Sequence, residues 1–260
     1  MRRLLQRAVT GVIAKPRRVA LLSVLCGLVA LLGGAALLQS QRRVRIEPNV
    51  PYDGRFAFVR LRYIEYGPPG WQYDYPAMER NFMTIVQDLT TMRVHTRGSN
   101  VHDMDDPALS RYPIAYLSEP GYWRPTEKEA AGLRNWLQKG GFLIVDDFYF
   151  RQWENFAFSM RQVLPDAQFI RLDISHPIFD AFFRIGTLDG MTHPDNRGAR
   201  AEYYGIFENN DPSRRMLAIV NYNNDIGDYM EWSGRGWYAV NLSNDAYKFA
   251  TNYLVYALTH

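Results

Sequence analysis

The stretch Lys139-Gly140-Gly141-Phe142-Leu143-Ile144-Val145-Asp146-Asp147 decides the fold. Its two glycines follow a polar segment of helical period, and glycine tolerates the left-handed backbone that closes a helix. Phe142 to Val145 is then an apolar run short enough for a strand buried on both faces. The run stops at two carboxylates. In open α/β sheets ligands sit beyond the carboxyl ends of such strands. Asp146 and Asp147 are therefore expected at the mouth of any site. On an extended chain adjacent side chains face opposite ways, so one of the two is expected in the cleft.

Toward the N-terminus, Thr126-Glu127-Lys128-Glu129 reads as a capped helix start, with Glu129 placed for a capping box. Tyr112 to Leu117 is a second apolar run, ending at Ser118-Glu119-Pro120-Gly121. Strand, helix and strand with short links make a βαβ unit. Phe56 to Tyr63 reads as an opening strand, followed by a Pro68-Pro69-Gly70 turn and an aromatic loop with Trp71, Tyr73 and Tyr75. Pro76 suits a first helical turn, and Met78, Phe82, Ile85, Val86 and Leu89 repeat with helical period. Met92 to His95 is read as a short strand, and Asp103, Asp105 and Asp106 as an acidic turn.

Toward the C-terminus, Trp153 to Leu164 is amphipathic, Gln168 to Leu172 reads as a strand, and His176-Pro177 opens a short helix. Residues 186–204 form a long polar loop. Gly205 to Glu208 and Met216 to Tyr222 read as paired strands. Residues 223–228 read as a polar loop, Trp237 to Leu242 as a strand, and Asn244 as the cap of a final helix.

The chain has 260 residues, 30 Lys and Arg against 27 Asp and Glu, and one cysteine, Cys26. A thiol nucleophile or a disulfide outside the N-terminal segment is excluded. Nine of the bases (Arg2, Arg3, Arg7, Lys15, Arg17, Arg18, Arg42, Arg43, Arg45) fall in residues 1–45, which hold no acid. The remaining 21 bases against 27 acids leave a balance of −6. An acidic remainder argues against a nucleic-acid surface.

Val19 to Leu38 carries no charge, and about 20 such residues cross a bilayer core. Residues 1–18 read as a basic cytoplasmic N-terminus, 19–38 as a transmembrane helix, 39–54 as a linker and 55–260 as one α/β domain. The basic leader puts the domain on the extracytoplasmic side. The expected location is the bacterial inner membrane, single pass, with the domain periplasmic. A cleaved signal peptide is the alternative.

Arg60-Leu61-Arg62-Tyr63, Trp71, Tyr112-Pro113, Tyr116-Leu117, Leu133-Arg134, Gly140-Gly141-Phe142-Leu143, Asp146-Asp147, His176-Pro177-Ile178-Phe179 and a closing helix occur in that order. The ordered set over residues 55–260 resembles the bacterial domain of unknown function 4159 family. The resemblance implies a glutamine amidotransferase-like fold, a flavodoxin-like three-layer sandwich with a mainly parallel sheet. It also implies association with MoxR-linked von Willebrand A-type proteins in the envelope. True amidotransferases keep a cysteine on an elbow after the strand equivalent to 142–145. Here Asp146-Asp147 stand instead, so glutaminase activity is not expected.

Asp146, Asp147, Glu119 and His176 are the candidate catalytic residues, with His193 in the long loop as a further histidine. The structural alternative has one aspartate capping the next helix and the other paired with Arg62 or Arg151. Trp71, Tyr75, Asp147, Asp225 and Asp228 are candidate ligand-binding residues, the aromatics by stacking. Covering the end of the first strand is the structural alternative for Trp71 and Tyr75. Asn221, Asn223 and Asp225 alternate like the start of a calcium loop, but Ile226 and Trp232 stand where Gly and Glu are needed. No metal site and no cofactor are expected, with a divalent metal on the aspartates as the alternative. The expected role is a membrane-anchored binding or assembly module. The alternatives are a carboxylate- or metal-dependent hydrolase of envelope glycan or peptide, and a structural scaffold.

Overall fold

The computed structural model describes residues 45–64, 70–196 and 198–260. The hydrophobic segment 19–38 lies outside the described residues. Among the described residues no helix is long and apolar enough to cross a membrane.

Ile46 to His260 form one compact unit. It begins at Ile46 rather than at residue 55 because the end of the linker is docked. Asn49 exchanges two hydrogen bonds with the Val101 backbone, and the Val50 N–H donates to Asn100 Oδ1 at 2.7 Å.

Seven strands make one sheet: β1 (Val59–Arg62), β2 (Asn100–Asp103), β3 (Ile114–Ser118), β4 (Phe142–Asp146), β5 (Ile170–Arg171), β6 (Glu202–Phe207) and β7 (Met216–Tyr222). Their order is β2-β1-β3-β4-β7-β6-β5. The first five in that order pair in parallel, and β6 and β5 complete the edge antiparallel. The fold is thus mixed α/β with a mostly parallel sheet.

β4 is central, between β3 and β7, and buried along its whole length. Each of its apolar side chains contributes roughly 1.5–3 kcal/mol by leaving water, so a charge at Val145 would break the sheet at its middle. The helix before it, α2 (Glu127–Gln138), has the expected capping box at Thr126 and Glu129. It closes by a Schellman motif: the Gly141 N–H donates to Trp136 O at 3.0 Å, and the Gly140 N–H to Leu137 O at 3.3 Å. Gly140 has φ +113°, and a Cβ on Gly141 would stand 2.4 Å from the Trp136 ring. Both positions need glycine, for different reasons.

The other helices are α1 (Ala77–Leu89), α3 (Gln152–Val163), α4 (Ile226–Glu231) and α5 (Val240–Thr259). Phe142 and Ile144 of β4 share a core with Met78 and Phe82 of α1, Ile226 of α4, and Phe249 and Tyr253 of α5. Leu143 and Val145, buried but of opposite parity, face away from that core, toward the α2–α3 side. Helices therefore cover both faces.

Several sequence expectations are corrected. Met92 to His95 supplies only a bridge, Val94 to Phe56, and the edge strand is Asn100–Asp103. Its last residue, Asp103, lies in what reads as an acidic turn, because β-pairing to β1 overrides weak local propensity. Residues 226–231 are helical, since the Asp225 side chain accepts the Asp228 N–H at 2.8 Å and caps a turn there. Trp237 to Leu242 is no strand: the last helix starts at Val240 with Ala239 as its cap residue, and Ser243 Oγ inside it bonds Tyr229 O.

Candidate functional site

Each central parallel strand ends in a non-glycine residue of positive φ, or is followed by one. Glu119 follows β3 at φ 51°, Asp147 follows β4 at 63°, Asn223 follows β7 at 55°, and Asp74 lies in the loop after β1 at 64°. Such backbone costs on the order of 1–3 kcal/mol per residue and gathers at functional sites. The chain moves from β1 out to β2 and returns to β3 on the other side of β1. The switch point where α/β sheets open a crevice therefore falls between β1 and β3.

Positive φ at Asp147 overturns the expectation that one aspartate faces away from the cleft. Asp146 is fully buried and accepts three hydrogen bonds: Tyr116 hydroxyl at 2.7 Å, Asn221 Nδ2 at 3.0 Å and the Gly227 N–H at 3.0 Å. Asp147 leaves the extended path, so its carboxylate stays at the same mouth. It accepts Ser118 Oγ at 3.0 Å and faces His193 Nε2 at 3.1 Å. Neither aspartate caps the following helix or meets an arginine: Arg62 pairs with Asp103, and α3 has Arg151 at its cap position without a side-chain cap.

His193 shows which proton it holds. Its Nδ1 accepts the Asp195 N–H at 3.1 Å. A nitrogen that accepts carries no proton, so the proton sits on Nε2 and is donated to Asp147. His176 uses the same His-Pro turn, with Nδ1 accepting the Ile178 N–H at 3.2 Å. It lies elsewhere, among Phe179, Phe207 and Tyr256. Tyr256 also touches Phe142, at the other end of β4 from the aspartates. The structure thus separates His176 from Asp146 and Asp147, and brings His193 to them instead.

The mouth is crowded with carboxyl groups. Burial, then the Asp147 charge, holds Asp74 and Asp225 well above the usual carboxylate range. Burial first, then Asp147 and Asp195, pushes Glu119 to about 9. Asp146 sits near 7, where burial and Asp147 outweigh the hydrogen bonds that favour its charge. Asp228 and Glu231 are also raised, mainly by burial. Among the described residues the fully buried arginine, Arg60, bonds Glu79 and the carbonyls of Trp71 and Tyr73 through Nε and Nη1. Among the described residues two groups of side chains are spaced to hold a cation: Asp147, His193 and Asp225, and Asp74, Asp228 and Glu231.

Trp71 and Tyr75 are buried at 6% and 5% exposure, packed on each other and on Arg60. They cover the end of β1 rather than offer a stacking platform. The would-be calcium loop is spent on the fold. Asn221 links Asp146 to the Tyr253 hydroxyl, and Asn223 bonds Phe150 N and Arg200 O. A cleft of about 520 Å³ opens at the opposite end of the sheet, beside Pro113, Gly140 and Gly141.

Residues 59–258 match the family described as domain of unknown function (DUF4159). The chain belongs to the DUF4159 family. No curated protein matches it. Within this family member the acidic mouth joins residues that the sequence keeps far apart. Asp74 drew no site assignment from the sequence, and His193 stood there only as a further histidine in the long loop. His193-Pro194, repeating His176-Pro177, was the available signal.

Proposed function

We propose that this DUF4159 protein is a membrane-anchored, extracytoplasmic binding or assembly module. The carrying observation is the surroundings of Asp147. At the elbow where an amidotransferase keeps its sulfur, a carboxylate is held by two donors, Ser118 Oγ and His193 Nε2. A hydroxyl or thiol nucleophile needs a base with a free lone pair aimed at it, and a carboxylate held by two donors has lone pairs engaged on both oxygens. Here the histidine presents a proton. The strand order β2-β1-β3-β4-β7 supports a flavodoxin-like, amidotransferase-like core. Uncharged residues 19–38 support the anchor. The acid-rich mouth suits a cation-bearing envelope partner, and von Willebrand A-type proteins linked to MoxR ATPases are the partners the family resemblance suggests.

Carboxylate hydrolysis is the second reading. It draws on Glu119, which holds its proton at neutral pH within electrostatic reach of Asp147. Two carboxyl groups of separated pKa suit acid–base work. Pull-down from detergent-solubilised membranes separates the readings. Asp147→Asn should lose partner capture, while wild type turns over no glycan or peptide of an envelope panel. Asp147-dependent turnover would instead establish the hydrolase, and unchanged capture would leave a scaffold.

A further inference from the structure

The second acidic group lies beside the elbow and does not include it. Asp74, after β1, and Asp228 and Glu231, on α4, each offer one oxygen, and the three oxygens lie within 4.8 Å of one another. Asp74 is 9% exposed, and its Oδ2 has no hydrogen-bond partner among the described residues. A buried carboxylate oxygen without a donor is costly unless a cation or proton meets it. Arg60 acts on Asp74 only through space, since its hydrogen bonds go to Glu79 and to the Trp71 and Tyr73 carbonyls. A Cβ on Gly227 would stand 2.5 Å from Asp74 Oδ2. The missing side chain is what lets that carboxylate lie against α4. Asp228 Oδ2 accepts from the Tyr238 hydroxyl, and the Trp232 side chain also hydrogen-bonds this carboxylate, which holds it in place at the group.

We propose that Asp74, Asp228 and Glu231 bind a hard divalent cation, for which Ca²⁺ is the probe. An all-oxygen donor set selects hard ions. Three carboxylate oxygens within 4.8 Å of one another lie in reach of a single ion. The neighbouring group of Asp147, His193 and Asp225 has similar spacing, but there His193 presents an N–H, which cannot ligate. The ion ties the loop after β1 to α4 across the mouth of the sheet. This site goes beyond the binding-module reading and stands without it.

The test uses the full-length protein in detergent, stripped with chelator and titrated with Tb³⁺ under tryptophan excitation. Trp232, next to Glu231, is the sensitiser. Saturable emission is expected, displaced by Ca²⁺ at about 10⁻⁴–10⁻³ M, the range of extracellular sites. Added Ca²⁺ should raise the melting temperature. Asp74→Asn and Glu231→Gln should each weaken binding at least about tenfold, with native circular dichroism. Glu231 is half-buried, so its variant tests the site even where Asp74→Asn fails to fold. The proposal is overturned if wild type shows no saturable binding by about 10 mM, or if both variants bind like wild type. It is also overturned if His193→Gln abolishes binding while Asp74→Asn does not, which would move the ion to the other group. Partner capture is not read here, so either reading can fail alone.

Discussion

His193 hands Asp147 a proton rather than a lone pair: Nε2 lies 3.1 Å from Asp147 Oδ1 while Nδ1 accepts the Asp195 N–H at 3.1 Å. The tautomer is therefore set by a backbone group two residues along the chain. Nitrogen NMR of the imidazole should show a protonated Nε2 and a bare Nδ1. A protonated Nδ1 would leave Nε2 without a proton and remove one of the two donors that hold Asp147, the main ground for a non-catalytic site.

The elbow backbone makes substitutions at Asp147 unequal. Asn adopts positive φ readily and keeps an acceptor oxygen, whereas Ala pays about 1–2 kcal/mol for the left-handed backbone and loses both partners. Chemical denaturation should rank wild type above Asp147→Asn and Asp147→Ala lowest. Equal stability of the two variants would show that φ 63° at this position carries no strain.

Asp146 accepts from three donors. In Asp146→Asn the new NH₂ must face one of them, and a donor left against a donor in a buried site costs about 1–3 kcal/mol. Urea unfolding should register that loss. A neutral effect would mean that the Tyr116 hydroxyl or the Asn221 amide turns to accept.

Arg60 and Glu79 are both buried, at 0% and 1% exposure. Arg60→Met should cost about 3–5 kcal/mol, because it strands the Glu79 charge. The double variant Arg60→Met with Glu79→Leu should recover most of that loss. Additive losses would show that Arg60 acts chiefly through the Trp71 and Tyr73 carbonyls.

Stability should fall as pH rises in chelator-treated protein. Glu119 rises from an ordinary 4.5 to about 9, and Asp146 from 3.8 to about 7. In those windows the folded state holds more protons than the unfolded one, so the slope of stability with pH is negative. The contribution is whole below about pH 4. It is lost up to pH 7 for Asp146 and up to pH 9 for Glu119. Glu119→Gln should flatten the melting-temperature profile between pH 7 and 9, and an unchanged slope would clear Glu119 of the effect.

The proposed anchor predicts that the protein isolated from membranes keeps its first residues. A mature N-terminus near Leu37 would show a cleaved signal instead.

Much of the scaffold is legible without coordinates. Lys139-Gly140-Gly141 closes a helix because one glycine must take φ +113° and the next must clear the Trp136 ring. The buried run after it had to be a central strand, and its carboxyl end had to be the mouth. Less legible were segments whose state depends on what lies beside them. Asn100 to Asp103 is a strand only because β1 offers an edge. Trp237 to Leu242 has strand-like residues, but β5 and β6 take up that side of the sheet and its second half joins α5.

By itself the sequence determined the strand–helix–strand order, the absence of a thiol nucleophile in the domain and the acidic end of β4. These follow from local periodicity, composition and glycine chemistry, which act over a few residues. Only the tertiary structure decided which groups keep Asp146 and Asp147 company. Asp74, His193, Asp225 and Glu231 come from separate loops and one short helix, and meet where β1, β3, β4 and β7 end side by side. A single positive φ at Asp147 then turns a carboxylate into that meeting point. No spacing along the chain encodes the rotation, because the packing around the elbow selects it.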